Sequence, residues 1–337
     1  MQPAPDFVIP NTLALQSRAQ WGARMTCVDD LQELLSFCAA QNCAMQVVGE
    51  GSNIVAHSRV QGCVGVMANR GIRVLEETAS SVLLYVEAGE NWHQFVMHCL
   101  TAGWHGLENL ALIPGTVGAT PVQNIGAYGV EIAEFVHAVH VVDRAGRVHD
   151  LDPADCAFGY RDSVFKNGND AIIHAVSLRL HKHNRVHIEY PELQSWLEDN
   201  QLLEPTPQQV AQAVIAIRAS KLPDPAQVPN AGSFFKNPVV SQSHARRLQH
   251  RYPELKWYPQ DNATGAMAKL SAAQLIDLSG GKQRLGGPVG CWPRQPLVLV
   301  NHTADEAAQV IDFAATLQSA VWRQFEVQLE VEPSLLS

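Results

Sequence analysis

Hydrophobic residues recur at helical spacing in some stretches of this chain and alternate in others. Residues 28–42, VDDLQELLSFCAAQN, set Leu31, Leu34, Leu35 and Cys38 on one helical face, with Asp29 or Asp30 placed to cap its start. MQVVG then reads as a short buried strand, and the turn GEGSN joins it to the β-branched run IVAHSRVQGCVGVM rather than to a helix. IRVLEET and SVLLYVEAGE predict a hairpin, NWHQFVMHCLTAG a helix stopped by Gly103, and VHAVHVVD and AIIHAVSLRL further strands. Residues 184–205 carry Pro191, Pro205 and little periodicity, which predicts a connection between domains. TPQQVAQAVIAIRASK then opens a new unit as a helix, with Thr206 as N-cap and Pro207 in the first turn. Downstream, residues 271–279 predict a helix, LVLVN a strand, and Thr303 with Glu306 a capping box before a long helix. The closing FEVQLEVEP alternates, which predicts a strand with Val327, Leu329 and Val331 on one side and Glu326, Gln328, Glu330 and Glu332 on the other.

The 337 residues exceed one ordinary core, so two or three domains are expected. Charged residues make up only 17%, without a like-charge block, and the net charge is −9, which argues against nucleic acid as a partner. No apolar run approaches the roughly 20 residues of a membrane helix, and MQPAPDFVIP lacks the basic and apolar regions of an export signal. A cytoplasmic protein with no membrane partner is expected. The seven cysteines are scattered, never spaced C-x-x-C, and read as reduced thiols. The fourteen histidines include no H-E-x-x-H, and HKHNRVH predicts a polar loop between strands, so no metal site is expected.

Candidate chemistry lies in four segments. GEGSN, residues Gly49, Glu50, Gly51, Ser52 and Asn53, forms either a plain β-turn or a nest of backbone N–H groups suited to a pyrophosphate. It lacks the third glycine and the helix of a Rossmann fingerprint. IPGTVGATPVQNIGAYG concentrates Gly115, Gly118, Gly126 and Gly129 among small residues, so backbone can approach a flat or phosphorylated ligand, with Gln123, Asn124 and Tyr128 able to direct hydrogen bonds. Together the two segments favour a dinucleotide-type cofactor whose identity they leave open. In FGYRDS, Arg161 can clamp a carboxylate through parallel N–H bonds or pair with Asp162 at the surface. In AGSFFKNP, Ser233 is either a turn hydroxyl or a positioned proton donor, and Phe234 and Phe235 can screen it from bulk water.

VVGEGSN, GLENLALIPGTVGATPVQNIGAYGVE, FGYRDSVFK, KLPDP, AGSFFKNPVV and FEVQLEVE, in that order, resemble the UDP-N-acetylenolpyruvoylglucosamine reductase family over essentially the whole chain. The resemblance implies an α+β protein: a two-subdomain FAD-binding fold of the vanillyl-alcohol-oxidase/PCMH type plus a C-terminal α+β substrate-binding domain. It implies boundaries at 1–72 and 73–204 for the two subdomains and 205–320 for the substrate domain, with 321–337 rejoining the first. It implies NADPH as reductant and UDP-N-acetylglucosamine enolpyruvate as substrate, in peptidoglycan precursor synthesis. FAD would rest on Gly49 to Asn53 and on Ile113, Pro114, Gly115, Thr116, Gly118, Ala119, Gln123, Asn124, Gly126, Ala127 and Tyr128. Tyr190, Lys221, Asn237, Tyr258 and Gln295 would meet the UDP-sugar, Tyr190 on a covering loop. Ser233 would donate the proton, and Arg161 and Glu332 would polarise the substrate.

Relatives carry L-E-P-E-V where this chain has L-E-V-E-P, and spacing from Phe325 aligns Glu332 rather than Glu330. An ionised carboxylate beside a growing anion would oppose the reaction, so a raised pKa is expected at Glu332, which infrared difference spectroscopy of the substrate complex tests. Two other functions fit the motifs: an oxidase of the same flavin fold, and a non-catalytic flavin or nucleotide-sugar binding protein that never oxidises NADPH.

Overall fold

The structure, a computed structural model, describes residues 2–166, 170–262, 265–282 and 287–337. Its chain divides into two compact units. The first comprises Met1–Val8, Ala19–Gly51 and Gln61–Ser220. Here the strands Ala4–Val8, Arg18–Met25, Arg59–Met67 and Met45–Val48 form one sheet in that order, the last two parallel. The helix Val28–Gln41 buries its expected face, Leu31, Leu34, Leu35 and Cys38, with Met25, Met45 and Cys63 of that sheet. Neither aspartate caps it. Cys27 holds the N-cap, and the Asp30 carboxylate instead accepts from the amide and hydroxyl of Thr26, both at 2.7 Å.

A second, antiparallel sheet orders Val148–Leu151, Val136–Val142, Ile172–His181, Ser81–Glu87 and Ile72–Glu77. Alternate residues, among them Val82, Leu84, Val86, Val176 and Leu178, bury a core shared with Trp92, Phe95 and Val96 of the helix Trp92–Ala102. Three expectations fail in this unit. Residues 184–205 are not a bare connection, because Pro191–Asp199 is a helix started by its proline, and its Leu193 and Leu197 enter the same core. HKHNRVH therefore runs from a strand into a helix, not between strands. The helix Pro207–Lys221, capped by Thr206, also buries Val210, Val214 and Ile217 in this core, so it completes the first unit instead of opening a new one.

The second unit comprises Ile9–Arg18, Ser52–Val60 and Lys221–Ser337. Asn230–Ser233, Gln295–Asn301 and Val289–Trp292 make one three-stranded antiparallel sheet, and Val239–Ser241, Gly265–Leu270 and Trp257–Asn262 another. The buried Asn301 amide donates to the carbonyls of Leu13 at 2.7 Å and Ala304 at 2.8 Å, which holds the early segment in this unit. The long helix spans Ala307–Phe325, and its capping box uses Glu306 and Gln309 rather than Thr303 and Glu306, one turn later than expected. The closing alternation survives in burial, with Val327 and Leu329 enclosed, but residues 326–330 form no strand. Val331 makes a single bridge to Phe235, and the strand proper is Ser334–Leu336, parallel to Ile54–Ala56. Among the described residues no helix is long and apolar enough to cross a membrane.

Candidate functional site

In the first unit the two glycine-rich segments meet. Gly49 packs so closely on Thr116 that an added Cβ would lie 2.5 Å from its Oγ1. Glu50 accepts from Asn91 Nδ2 at 2.9 Å, Asn91 bridges Thr116, and the Trp92 amide donates to the Gly115 carbonyl. Half-buried Ile113, Ala127 and Tyr128 and exposed Pro114 and Ala119 line the same segment. This cradle of small residues beside Gly49, Glu50 and Gly51 fits a dinucleotide held by backbone, as the residue types suggest. Two residues in it serve the protein. Asn124 spends both amide hydrogens, on Glu131 at 2.7 Å and on the Gly159 carbonyl at 3.0 Å, so its side chain is not the ligand donor that was expected. Gly118 is required by packing, since a Cβ there would lie 2.4 Å from that of Ala88.

The Asn124 bond is among those that fix the FGYRDS loop to this segment. Ser163 Oγ donates to the Val122 carbonyl at 2.7 Å, and the Arg161 guanidinium donates through Nη2 to the Gly126 carbonyl. Arg161 itself has φ of 53° within the turn from Gly159 to Asp162, and its guanidinium lies over the Tyr160 ring. Gly126 leaves the space the guanidinium occupies, because a Cβ would sit 2.9 Å from Nη1. A second arginine joins this locus. Arg218 is held by the Leu112 carbonyl at 3.3 Å, and burial, then neighbouring Tyr128 and Arg161, sets its proton affinity, the net effect being to lower it. Burial also pushes the Tyr128 phenol up to about 12, and burial, then Arg218, lowers His93. Its place beside Val210, Val214 and Ile217, buried positions of its helix, was the signal the sequence offered for Arg218.

The segments that carry Ser233 and Glu332 pair in the second unit. The strand Asn230–Ser233 pairs with Gln295–Asn301, but its register slips between Asn230 and Ser233. Gly232 takes φ of 69° in this irregularity, and its amide donates to Asn230 Oδ1 at 2.9 Å. An irregularity of this kind re-aims a side chain. Ser233 is exposed while Phe234 and Phe235 are 1% exposed and sit in the core, so neither phenylalanine screens the serine as expected. The Glu332 amide donates to the Phe234 carbonyl at 2.9 Å, and the Ser334 amide donates to the Asn53 carbonyl at 3.1 Å. Glu332 is thereby strung between the serine strand and the end of GEGSN, with Ser52 and Asn53 half-buried. Glu330 is committed elsewhere, its carboxylate 2.5 Å from Lys236 Nζ.

The remaining residues scatter over both units. In the first, Tyr190 is exposed and packs edge-on against Tyr128 with ring centroids 5.4 Å apart. In the second, Asn237 Oδ1 accepts from the Ala272 amide at 3.0 Å, Tyr258 stands exposed on its strand, and Gln295 turns a hairpin opposite Trp292. The Lys221 carbonyl accepts from Trp292 Nε1 at 2.8 Å.

Comparison with known proteins agrees with this division. The FAD binding domain family matches residues 22–152, and the C-terminal domain of UDP-N-acetylenolpyruvoylglucosamine reductase matches residues 224–336. The chain is 44% identical over 327 residues to the UDP-N-acetylenolpyruvoylglucosamine reductase of Pseudomonas aeruginosa, and 42% over 327 to that of Pseudomonas syringae pv. syringae, covering 96% of both chains in each case. That of Chromobacterium violaceum is 43% identical over 97% of this chain and 96% of its own. The solved UDP-N-acetylenolpyruvylglucosamine reductase of Thermus caldophilus shares the fold, with a TM-score of 0.66 over 97% of this chain and 96% of that one at 22% identity. The chain is a flavin-dependent oxidoreductase and belongs to the UDP-N-acetylenolpyruvoylglucosamine reductase family.

Proposed function

We propose that this protein reduces the enolpyruvyl double bond of UDP-N-acetylglucosamine enolpyruvate to give UDP-N-acetylmuramate, with NADPH as reductant, in the cytoplasm, as a step of peptidoglycan precursor synthesis. FAD would be held by Gly49 to Asn53 and by the backbone of 113–128. When bound it supplies the hydride that the terminal carbon of the double bond receives. Negative charge then grows on the substrate carboxylate as an enediolate. Arg161 stabilises that charge, since a fixed donor aimed at developing charge is worth about 100- to 1,000-fold in rate. Glu332 assists in its protonated form, and Ser233 gives its proton to the carbon bearing oxygen and carboxylate, a carbon made basic by the enediolate. Tyr190, Lys221, Asn237, Tyr258 and Gln295 bind the UDP-sugar.

The single observation that supports this reading most is the backbone bond from Glu332 to Phe234, the residue after an exposed Ser233. The segment that carries the acid thus lies beside the end of the strand that carries the hydroxyl. Anaerobic stopped-flow at the flavin band tests it: NADPH bleaches the band and the enolpyruvyl UDP-sugar restores it. A protein whose band NADPH does not bleach is a binding protein. One that oxygen alone reoxidises rapidly is an oxidase.

A further inference from the structure

The geometry points to Asn109 as a positioning residue that fixes the strap 182–190, and through it Tyr190, to the cofactor segment. The inference rests on the reading of Tyr190 as a substrate contact. Asn109 is fully buried in the turn Glu108–Leu110, and its Nδ2 donates to two backbone carbonyls, those of Tyr128 and His187, each at 2.9 Å. The first belongs to the glycine-rich segment, whereas the second lies three residues before Tyr190. One amide group thus spans the two chain segments whose end rings, Tyr128 and Tyr190, touch.

Most of the strap's residues are exposed, and Val186 and Ile188 are half-buried against the core. Its ends are tied by backbone, Lys182 to Ser80 at 3.0 Å and the Tyr190 carbonyl to the Gln194 amide at 3.0 Å, and His183 meets His105 Nδ1 at 2.9 Å, whereas Asn109 grips its middle. The Asn109 Oδ1 is buried without a hydrogen-bond partner. Such a group costs stability, so a leucine would serve packing better. What the asparagine offers in return is its pair of donors. Those donors act on backbone, so they set the path of the strap whatever side chains it carries.

Asn109→Asp keeps the shape and removes both donors, and Asn109→Ser keeps one donor with a milder change. We expect the KM for the enolpyruvyl UDP-sugar to rise about tenfold in N109D, in line with two lost hydrogen bonds. The kcat and the flavin content stay within about twofold, and N109S falls between. In hydrogen exchange, amides of 186–190 lose protection in both variants. Tyr190→Phe raises KM on its own, and adding N109D to it costs less than N109D alone. Unchanged KM or unchanged exchange overturns the inference, and so does an equal cost in the Y190F background or a variant that purifies without flavin. If Y190F leaves KM untouched, the reading of Tyr190 fails and takes the inference with it. If Y190F raises KM while N109D does not, only the inference fails.

Discussion

Replacing Gly126 by alanine tests the Arg161 assignment without touching a charged group. The new Cβ would sit 2.9 Å from Arg161 Nη1, 3.0 Å from Glu131 Cγ and 3.1 Å from the Val130 carbonyl oxygen. Ordinary contact lies at about 3.5–4.0 Å, so something must retreat by roughly 0.5 Å or more. The Val130 oxygen belongs to the two-residue ladder in which Ala127 faces Val130, and Glu131 is held by Asn124 at 2.7 Å. The guanidinium is the far end of a flexible side chain, so it moves and leaves the Gly126 carbonyl. Misplacing a reacting group by about 1 Å costs on the order of 100-fold, so half that shift predicts roughly a 10-fold slower reaction. In anaerobic stopped-flow, reoxidation of the reduced enzyme by substrate slows by this factor, while reduction by NADPH stays within about twofold. Overpacking costs about 1–3 kcal/mol of stability, so thermal melting is recorded beside the kinetics. Reoxidation at the wild-type rate would refute the role of Arg161, and equal loss of both half-reactions with loss of flavin would refute the claim that the guanidinium is what yields.

Three further outcomes are expected. Ser233→Ala leaves NADPH bleaching intact and slows reoxidation by substrate by at least about 100-fold, the usual lower range for a positioned proton donor, so normal turnover in S233A removes the serine from the mechanism. Glu330→Gln removes an ion pair with Lys236 whose carboxylate end is exposed and leaves kcat within about twofold, whereas Glu332→Gln lowers kcat; the reverse order would exchange their roles. His174 is 5% exposed with neither ring nitrogen hydrogen-bonded, and burial, then His140, lowers it to about 4. The unfolded chain binds the proton near pH 6.5 and the folded chain does not, so this contribution is complete above pH 6.5 and lost as pH falls towards 4. At about 1.4 kcal/mol per unit it reaches roughly 3 kcal/mol. Urea melts at pH 7.5 and 4.5 measure it, and a His174→Leu protein with the same pH slope as wild type contradicts it.

The parts of the fold that could be read in advance are those whose burial repeats within a short window. Leu31, Leu34, Leu35 and Cys38 satisfy a helical period by themselves, and the hairpin from Ile72 to Glu87 closes over a three-residue turn. What escaped depends on partners distant in sequence. Pro191–Asp199 has two buried leucines in nine residues, too few to register as a period, and only the core beneath them makes the helix worthwhile. The helix Pro207–Lys221 has a legible start and a legible face, yet nothing in its own residues says which core that face joins, and the new-unit reading followed from the prolines before it.

The same distinction decides which candidate site residues were legible. Arg161 and Ser233 stand out locally because an arginine in a tight polar turn and a lone hydroxyl beside two phenylalanines are unusual neighbours. Their settings were not legible. The Ser233 side chain faces solvent because the register slips at Gly232, and the slip exists only relative to the strand Gln295–Asn301. The choice between Glu330 and Glu332 could not come from alternation, which puts both on one side. The proposed choice of Glu332 leans on the backbone pairing, where Glu330 accepts from the Lys236 amide and binds its ammonium group, while the next bond runs from Glu332 to Phe234. Glu330 is thus engaged by Lys236 through both its carbonyl and its carboxylate. The role is therefore proposed for Glu332, whose amide bonds the residue after the serine, and the comparison of Glu330→Gln with Glu332→Gln decides it.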